Sequence, residues 1–267
     1  MSQPTTPHTE EIIPVAGTDL QVFKAGSGPP LIIFHDEMGQ HAWLRYQQAL
    51  SERFEVSVPS HPGYGKSPRL DWIMTMRDMA NWYLQAFDEL GVRDSNVIGF
   101  SLGGWLAATI AALCPHHFSK MVLVGAAGIK PPEGEILDMF METASEYIKL
   151  TVAEPLATEE FQAVCPPTPS PELAEAWEVA REQSVRLSWR PYMHDPALPH
   201  LLRRASSMPT LIVWGGRDGI VPLSAGQAYK EAIPGADLMV ITGSGHRPEI
   251  EAPDEFLTLV LDFLGDG

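Results

Sequence analysis

Residues 96 to 108, NVIGFSLGGWLAA, decide the predicted fold. An apolar run over 96–100 predicts a buried strand, and the Ala-rich stretch after Ser101 favours a helix. Gly99 and Gly103 flank the serine, and such small neighbours let a strand turn sharply into a helix. The free N–H groups at the start of that helix would favour a developing negative charge. We therefore predict that Ser101 is a nucleophile on a strand-to-helix turn.

Short buried strands alternate with helical patterns along most of the chain. Residues 75–91 place apolar side chains at helical spacing, and Gly91 is a predicted helix stop. This alternation predicts an α/β fold with a mostly parallel sheet and helices on both faces. The predicted strands lie at 31–35, 54–58, 96–100, 120–125, 210–215 and 237–242.

Residues 131–200 interrupt this alternation with several helical patterns, many prolines and no convincing strand. We predict that they form a helical lid, inserted into a core made of residues 1–130 and 201–267. Thirteen acidic and four basic residues give the predicted lid a net charge of −9. These acids are typical of a solvated helical face, and alternatively they would discourage anionic substrates.

The charge balance excludes several kinds of partner. The 267 residues include 34 acidic and 18 basic ones, for a net charge of −16, which disfavours binding to nucleic acid or to an anionic membrane surface. The chain begins without an apolar leader and has no stretch long enough to span a membrane. Its two cysteines, Cys114 and Cys165, form neither a disulfide framework nor a metal-binding pair. We expect a cytoplasmic monomer or homodimer whose partner is a small-molecule substrate.

A serine hydroxyl needs a base to take its proton and an acid to orient that base. Among the nine histidines, His246 alone lies in a glycine-flanked loop directly after a predicted strand. Asp218 follows the strand at 210–215 in the same way. Because the carboxyl ends of parallel strands meet at one edge of a sheet, we expect these residues to lie beside Ser101. The sequence therefore predicts a Ser101–His246–Asp218 catalytic triad.

The chain resembles the lidded α/β-hydrolases, in the branch that contains carboxylesterases and meta-cleavage product hydrolases. The resemblance implies the α/β-hydrolase fold, with a lid after the sixth core strand and the triad roles given above. It also implies an oxyanion hole built from the backbone N–H groups of Leu102 and, by position, Glu37, and it implies no metal and no organic cofactor. The motifs that carry it are LIIFHDEMG, VSVPSHPGYGKS, NVIGFSLGGWLA, MVLVGAAGI, PTLIVWGGRDGIVP and GSGHRPEIEAPDEF.

The oxyanion loop departs from the family pattern, because Asp36 and Glu37 stand where the family usually has a glycine and its neighbour. A carboxylate about 5.5 Å from the developing charge costs roughly 3 kcal/mol at an effective dielectric constant of about 20. One oxyanion donor contributes about 2.7–4 kcal/mol, so an inward carboxylate would cancel most of it. We therefore expect both side chains to face outward. The alternatives are that one is protonated or that one binds a polar part of the substrate.

These features predict a serine hydrolase that cleaves a carboxylic ester or lactone of a neutral, small-to-medium apolar substrate. The alternatives are a carbon–carbon bond hydrolase of vinylogous diketones, an acyltransferase or perhydrolase, and a ligand-binding protein on the same fold. Arg247 follows His246 where carbon–carbon bond hydrolases commonly have an aromatic residue, which weakens the first alternative. Side chains that would line the substrate pocket, or else bury the lid against the core, are Asp36, Met139, Phe140, Met141, Tyr147, Trp177, Trp189, Tyr192 and Met193.

Overall fold

The computed structural model describes residues 8–158 and 160–265. The strands found there are β1 (Thr9–Val15), β2 (Thr18–Ala25), β3 (Pro30–Phe34), β4 (Glu55–Pro59), β5 (Ser95–Phe100), β6 (Phe118–Val124), β7 (Thr210–Gly215) and β8 (Asp237–Ile241). They form one sheet in the order β1-β2-β4-β3-β5-β6-β7-β8. β2 is antiparallel to both of its neighbours, whereas β4, β3, β5, β6, β7 and β8 pair in parallel. The predicted mostly parallel sheet is confirmed.

From β3 onward, helices connect the successive strands, as the alternating pattern predicts. In the described residues they are α1 (Arg45–Ser51), α2 (Met76–Leu90), α3 (Leu102–Leu113), α4 (Ala144–Leu150), α5 (Phe161–Val164), α6 (Pro171–Ser188), α7 (Leu198–Leu201), α8 (Leu223–Ala232), α9 (Pro248–Glu251) and α10 (Pro253–Gly265). The Thr75 hydroxyl caps the start of α2 by accepting the N–H of Asp78, and Gly91 ends that helix with a φ of 69°. The predicted helix at 75–91 is therefore confirmed with its stop.

The six predicted strands are confirmed as β3 to β8, each within two residues at either end. The sequence analysis missed the antiparallel pair β1 and β2. Ala16 and Gly17 connect these strands with φ angles of 48° and 79°, as in a type I′ hairpin turn. Alanine is an unusual residue for the first of these positions, so the turn lacks its usual sequence. β1 lies mostly exposed at the edge of the sheet and therefore lacks the apolar pattern of a buried strand.

The turn between β5 and α3 requires its glycines because two backbone segments approach closely there. A Cβ atom on Gly103 would lie 2.4 Å from the carbonyl oxygens of both Phe34 and His35. A Cβ atom on Gly99 would lie 2.5 Å from the carbonyl oxygen of Gly103. The missing side chains therefore allow the start of α3 to pack directly against the end of β3.

Residues 131–200, which we call the inserted segment, lie between β6 and β7 and contain α4, α5 and α6. Helices therefore occur where the sequence predicts them, and the division of the chain into a core and a lid stays a prediction. The inserted segment contacts the loop after β4, where the hydroxyls of Tyr64 and Ser184 are 2.7 Å apart. An ion pair between Arg69 and Glu182, 2.9 Å long, connects the same two regions near the surface.

We expect Gly103→Ala to lower the free energy of unfolding by about 1–3 kcal/mol or more, because the new methyl group forces backbone atoms apart. Gly243→Ala is the matched control, since a Cβ atom at Gly243 meets nothing within 4 Å. Urea denaturation followed by circular dichroism measures both changes. Equal stabilities of the two variants would contradict the close approach of α3 and β3.

Candidate active site

Ser101 is the single residue between β5 and α3. Its φ of 46° and ψ of −111° lie outside the ordinary regions for a residue with a side chain, a conformation that costs about 1–3 kcal/mol. The Ser101 N–H donates to the carbonyl of Val124 over 2.9 Å, which helps to hold the turn. The side chain is 1% exposed, and its Oγ has no hydrogen-bond partner in the described residues. A hydroxyl held in this way is available for chemistry.

His246 and Asp218 form the second part of the site. The His246 Nδ1 lies 2.8 Å from the Asp218 Oδ2. The other oxygen of Asp218 accepts the N–H groups of Ile220 and Val221 over 2.8 Å and 2.9 Å, so the carboxylate is fixed. A Cβ atom on Gly125 would lie 2.9 Å from the His246 Nδ1, so a glycine is required beside the ring. The buried His246 Nε2 has no partner in the described residues, which leaves it free to exchange a proton.

The acidic loop after β3 faces inward, so the predicted outward orientation of Asp36 and Glu37 is wrong. Glu37 is fully buried, and one of its carboxylate oxygens accepts the Tyr147 hydroxyl over 2.7 Å. Asp36 accepts the N–H of Met38 over 2.8 Å and forms a buried ion pair with Arg247. The physical reason is that partners from distant parts of the chain satisfy both carboxylates inside the protein.

The charges of Glu37 and His246 depend on each other. Burial would lower the pKa of His246, but the charge and hydrogen bond of Asp218 and the charge of Glu37 outweigh it and raise that pKa to about 9. Burial would likewise raise the pKa of Glu37, but the charge of His246 and the nearby hydroxyls of Ser101 and Tyr147 lower it. These shifts favour an imidazolium ion on His246 and a carboxylate on Glu37, close to Ser101, at neutral pH.

The predicted oxyanion donors have different surroundings. Leu102 is the first residue of α3, and the N–H of such a residue has no partner within its own helix. The N–H of Glu37 interacts with the carboxylate of the same residue and contributes to its lowered pKa. The Glu37 carboxylate therefore lies beside a group that would have to bind an oxyanion. The roles of both N–H groups as oxyanion donors stay predictions.

A small cavity of about 30 Å³ lies next to the acidic loop, with Asp36, Trp177, Arg247 and Glu249 among its lining residues. Three buried atoms of these residues have no hydrogen-bond partner in the described chain, namely Trp177 Nε1, Arg247 Nε and Glu249 Oε2. Burial raises the pKa of Glu249 to about 8 despite the neighbouring Arg247, so Glu249 is mostly neutral at pH 7. This volume and these polar groups suit a single water molecule.

The residues predicted to line a pocket are not all brought together. Trp177 is 2% exposed and lines the same cavity as Asp36. The Met139 N–H donates to the Tyr192 hydroxyl over 2.9 Å. Phe140 and Trp189 are 44% and 49% exposed, so neither is enclosed. Apart from Trp177, these lid residues are not among those that line the cavity, and their role in substrate binding stays a prediction.

The sequence analysis missed two contacts that position Glu37. Tyr147 belonged to the predicted pocket set, but nothing in the sequence paired it with Glu37. Ser184 was not singled out, although its hydroxyl donates to the Glu37 carbonyl over 2.7 Å. It lies on the buried face of α6, and this periodicity was the only available signal for it.

Comparison with known proteins gives the class of this chain. A family model described as alpha/beta hydrolase fold matches residues 29–153. A pimeloyl-[acyl-carrier protein] methyl ester esterase from Vibrio vulnificus is 28% identical, over 93% of this chain and 99% of that protein. A 2-hydroxymuconate semialdehyde hydrolase from a Pseudomonas species is also 28% identical, over 96% of this chain and 93% of that protein.

A solved meta-cleavage product hydrolase from Pseudomonas fluorescens covers 96% of this chain and 97% of its own, with a TM-score of 0.78 and 23% identity. The chain has the α/β-hydrolase fold. More particularly, it is a hydrolase of that fold, similar both to a methyl ester esterase and to a semialdehyde hydrolase. Within residues 8–158 and 160–265, no helix has the length and apolar character needed to cross a lipid bilayer.

We expect Glu37→Gln to lower the pKa of His246 from about 9, because the variant removes a negative charge that stabilises the imidazolium ion. NMR titration of the labelled imidazole measures the change. Glu146→Gln removes an exposed carboxylate from α4 and is the matched control, for which we expect no change. An unchanged His246 pKa in Glu37→Gln would contradict the coupling of the two groups.

Proposed function

We propose that this protein is a serine hydrolase that cleaves a carboxylic ester or lactone through an acyl-enzyme on Ser101. One observation supports the proposal most directly. The buried Ser101 Oγ and His246 Nε2 both lack a hydrogen-bond partner in the described residues, while Asp218 holds the other ring nitrogen at 2.8 Å. A nucleophile, a base with one free nitrogen and an orienting acid are what acyl transfer to serine requires.

In the acylation step, the Ser101 Oγ attacks the substrate carbonyl and His246 accepts the hydroxyl proton. Asp218 stabilises the imidazolium ion that forms, and the N–H groups of Leu102 and Glu37 bind the oxyanion. Collapse of the tetrahedral intermediate expels the alcohol, which takes the proton from His246. His246 must be neutral when acylation begins. Because its pKa is raised to about 9, the neutral imidazole is the less populated form at neutral pH.

In the second step, water attacks the acyl-enzyme with His246 again as the base, and the carboxylic acid leaves Ser101. In both steps a Glu37 carboxylate that stayed beside its own N–H would compete with the oxyanion for that N–H. A negative charge left in place would oppose the negative charge of the intermediate. The position of Glu37 therefore controls how well the oxyanion hole functions.

We further propose that the inserted segment acts as a lid. Ser101 is 1% exposed, so a substrate reaches it only after some movement of the surrounding chain. Tyr147 and Ser184, both in the inserted segment, donate hydrogen bonds to Glu37 beside the nucleophile. Movement of this segment would both open the site and release the Glu37 side chain.

Carbon–carbon bond cleavage by the same triad is the second candidate, because the hydrolase relatives include enzymes of that kind at the same 28% identity as the esterase. Two features favour the ester. The substrate in the name of the 2-hydroxymuconate semialdehyde hydrolase is a carboxylate, and a carboxylate would meet the buried negative charge of Glu37. Arg247 also lies near Glu37 and could attract the carboxylate of such a substrate, but Asp36 already pairs with this arginine.

We expect Ser101→Ala to reduce ester hydrolysis by about 10⁴-fold or more while the circular dichroism spectrum stays unchanged. A fluorophosphonate probe should label the native protein on the peptide that contains Ser101 and should leave the variant unlabelled. Ser119→Ala removes an exposed serine and serves as the matched control, which should react like the native protein.

An adduct on a different residue, or undiminished activity in Ser101→Ala, would overturn the assignment of the nucleophile. Absence of an adduct at both pH 7 and pH 9.5, with the protein folded, would favour a ligand-binding protein on this fold. A panel of simple esters, lactones and coloured vinylogous diketones then separates the two hydrolytic reactions. Turnover of the diketones alone would favour carbon–carbon bond cleavage.

A further inference from the structure

The Glu37 carboxylate has an unusual position for a charged group. It is fully buried, and Tyr147 satisfies one oxygen while the other has no hydrogen-bond partner in the described residues. The Ser101 hydroxyl and the protonated His246 lie near this carboxylate and lower its pKa, but neither the Ser101 Oγ nor the His246 Nε2 forms a well-aligned hydrogen bond within the described residues. A buried carboxylate oxygen without a donor lowers stability, and such groups in folded proteins commonly have a ligand or a catalytic use.

Among the described residues, the charged groups that face Glu37 leave one cation as its counter-ion. Arg247 also lies near Glu37, but its ion pair is with Asp36. His246 is therefore the cation that stabilises the Glu37 charge in the free protein. The other titratable groups that face Glu37 are His35, Tyr64, Tyr147 and Tyr192. Burial lowers the pKa of His35 to about 4 and raises the pKa of each tyrosine, so all four are neutral at pH 7.

Acylation removes that counter-ion. His246 must be neutral to accept the proton of Ser101, and at that moment both Glu37 and Asp218 remain negative. Asp36 and Glu249 also interact with His246, but Asp36 is paired with Arg247 and Glu249 is mostly neutral. The reactive state of the site thus carries two carboxylates without a cation between them. A cation supplied by the substrate would remove this cost.

We propose that Glu37 selects esters whose acyl group carries an ammonium group next to the scissile carbonyl, of which aminoacyl esters are the simplest. The inference rests on the proposed serine hydrolase function and replaces the neutral substrate that an outward Glu37 would favour. The ammonium group donates to the free oxygen of Glu37 and takes the place of His246 as its counter-ion. His246 then gives one proton to the solvent and becomes the base, with no other change in proton count.

The same contact also frees the oxyanion hole. A carboxylate drawn towards an ammonium group one carbon away from the carbonyl leaves its own N–H, which can then bind the oxyanion. An anionic acyl group would have the opposite effect, because it adds a third negative charge beside Glu37 and Asp218. The net charge of −16 further favours the approach of a cation to this protein.

The test compares two isosteric substrates at pH 7, glycine ethyl ester and ethyl propionate, in which an ammonium group replaces a methyl group. We expect the native protein to show a kcat/KM at least about 10-fold higher for glycine ethyl ester. In Glu37→Gln this ratio should fall to about one or below, whatever the change in the absolute rates on the two esters. Glu146→Gln, which removes an exposed carboxylate from α4, should keep the native preference.

Equal cleavage of both esters by the native protein would overturn this inference and leave the serine hydrolase intact. If neither ester is cleaved but the fluorophosphonate probe labels Ser101, glycinamide and propionamide replace the esters as competitors of labelling. Stronger protection by glycinamide supports the inference, and equal protection overturns it. Absence of labelling together with absence of hydrolysis would instead overturn the proposed function.

If Glu37→Gln does not fold, the pH dependence of kcat in the native protein gives the answer. We expect the acidic limb for glycine ethyl ester to lie at least about one pH unit below that for ethyl propionate, because a bound ammonium group lowers the pKa of His246. Coincident limbs would overturn the inference. A merely structural Glu37 would not separate the two limbs.

Discussion

The close approach of α3 to the end of β3 is the constraint on which the site depends. Backbone oxygens of Phe34 and His35 lie where a side chain on Gly103 would be, so the start of the helix is pressed against the loop that carries Glu37. This contact places the start of α3, which follows Ser101, against the acidic loop. The strained backbone of Ser101 follows from it, since one residue must reverse the chain between a buried strand and a buried helix.

The second determinant is the way in which five charged groups share a buried volume. Asp218 fixes His246, and Asp36 fixes Arg247, so each acid has a cation at short range. Separating a buried pair of this kind typically costs about 3–5 kcal/mol, which keeps both pairs intact through a reaction cycle. Glu37 is the carboxylate left over. Its partner is whichever positive charge is nearest, and in the free protein that charge is the protonated base.

The fold and the pairing of His246 with Asp218 could be predicted because each signal is local. Ser101, Asp218 and His246 each follow a strand directly, and parallel strands bring their carboxyl ends together whatever the details of packing. The hairpin of β1 and β2 was missed because Ala16 and Gly17 lack the Asn or Asp that usually marks such a turn. This turn is also a local feature, and Gly17 is the one residue in it that favours a two-residue hairpin turn.

The orientation of the acidic loop could not be predicted from its neighbours. Glu37 is held by Tyr147, which is 110 residues away in the chain, and Asp36 by Arg247, which is 211 residues away. An unpaired carboxylate beside a developing negative charge would favour the outward orientation that was predicted. That prediction failed because the chain supplies a hydroxyl and a guanidinium group inside the protein, and only the folded arrangement reveals these partners.

The inserted segment and the chemistry of the site are connected through a single residue. Tyr147 of α4 bonds the Glu37 side chain, and Ser184 of α6 bonds its carbonyl, so two helices of this segment hold Glu37, whose carboxylate lies near Ser101 and His246. In the proposed reaction, a cationic group that reaches Ser101 binds the free oxygen of this carboxylate while Tyr147 holds the other. Binding, opening of the segment and the protonation state of His246 are therefore parts of one equilibrium, because each of them changes the partner of the same buried carboxylate.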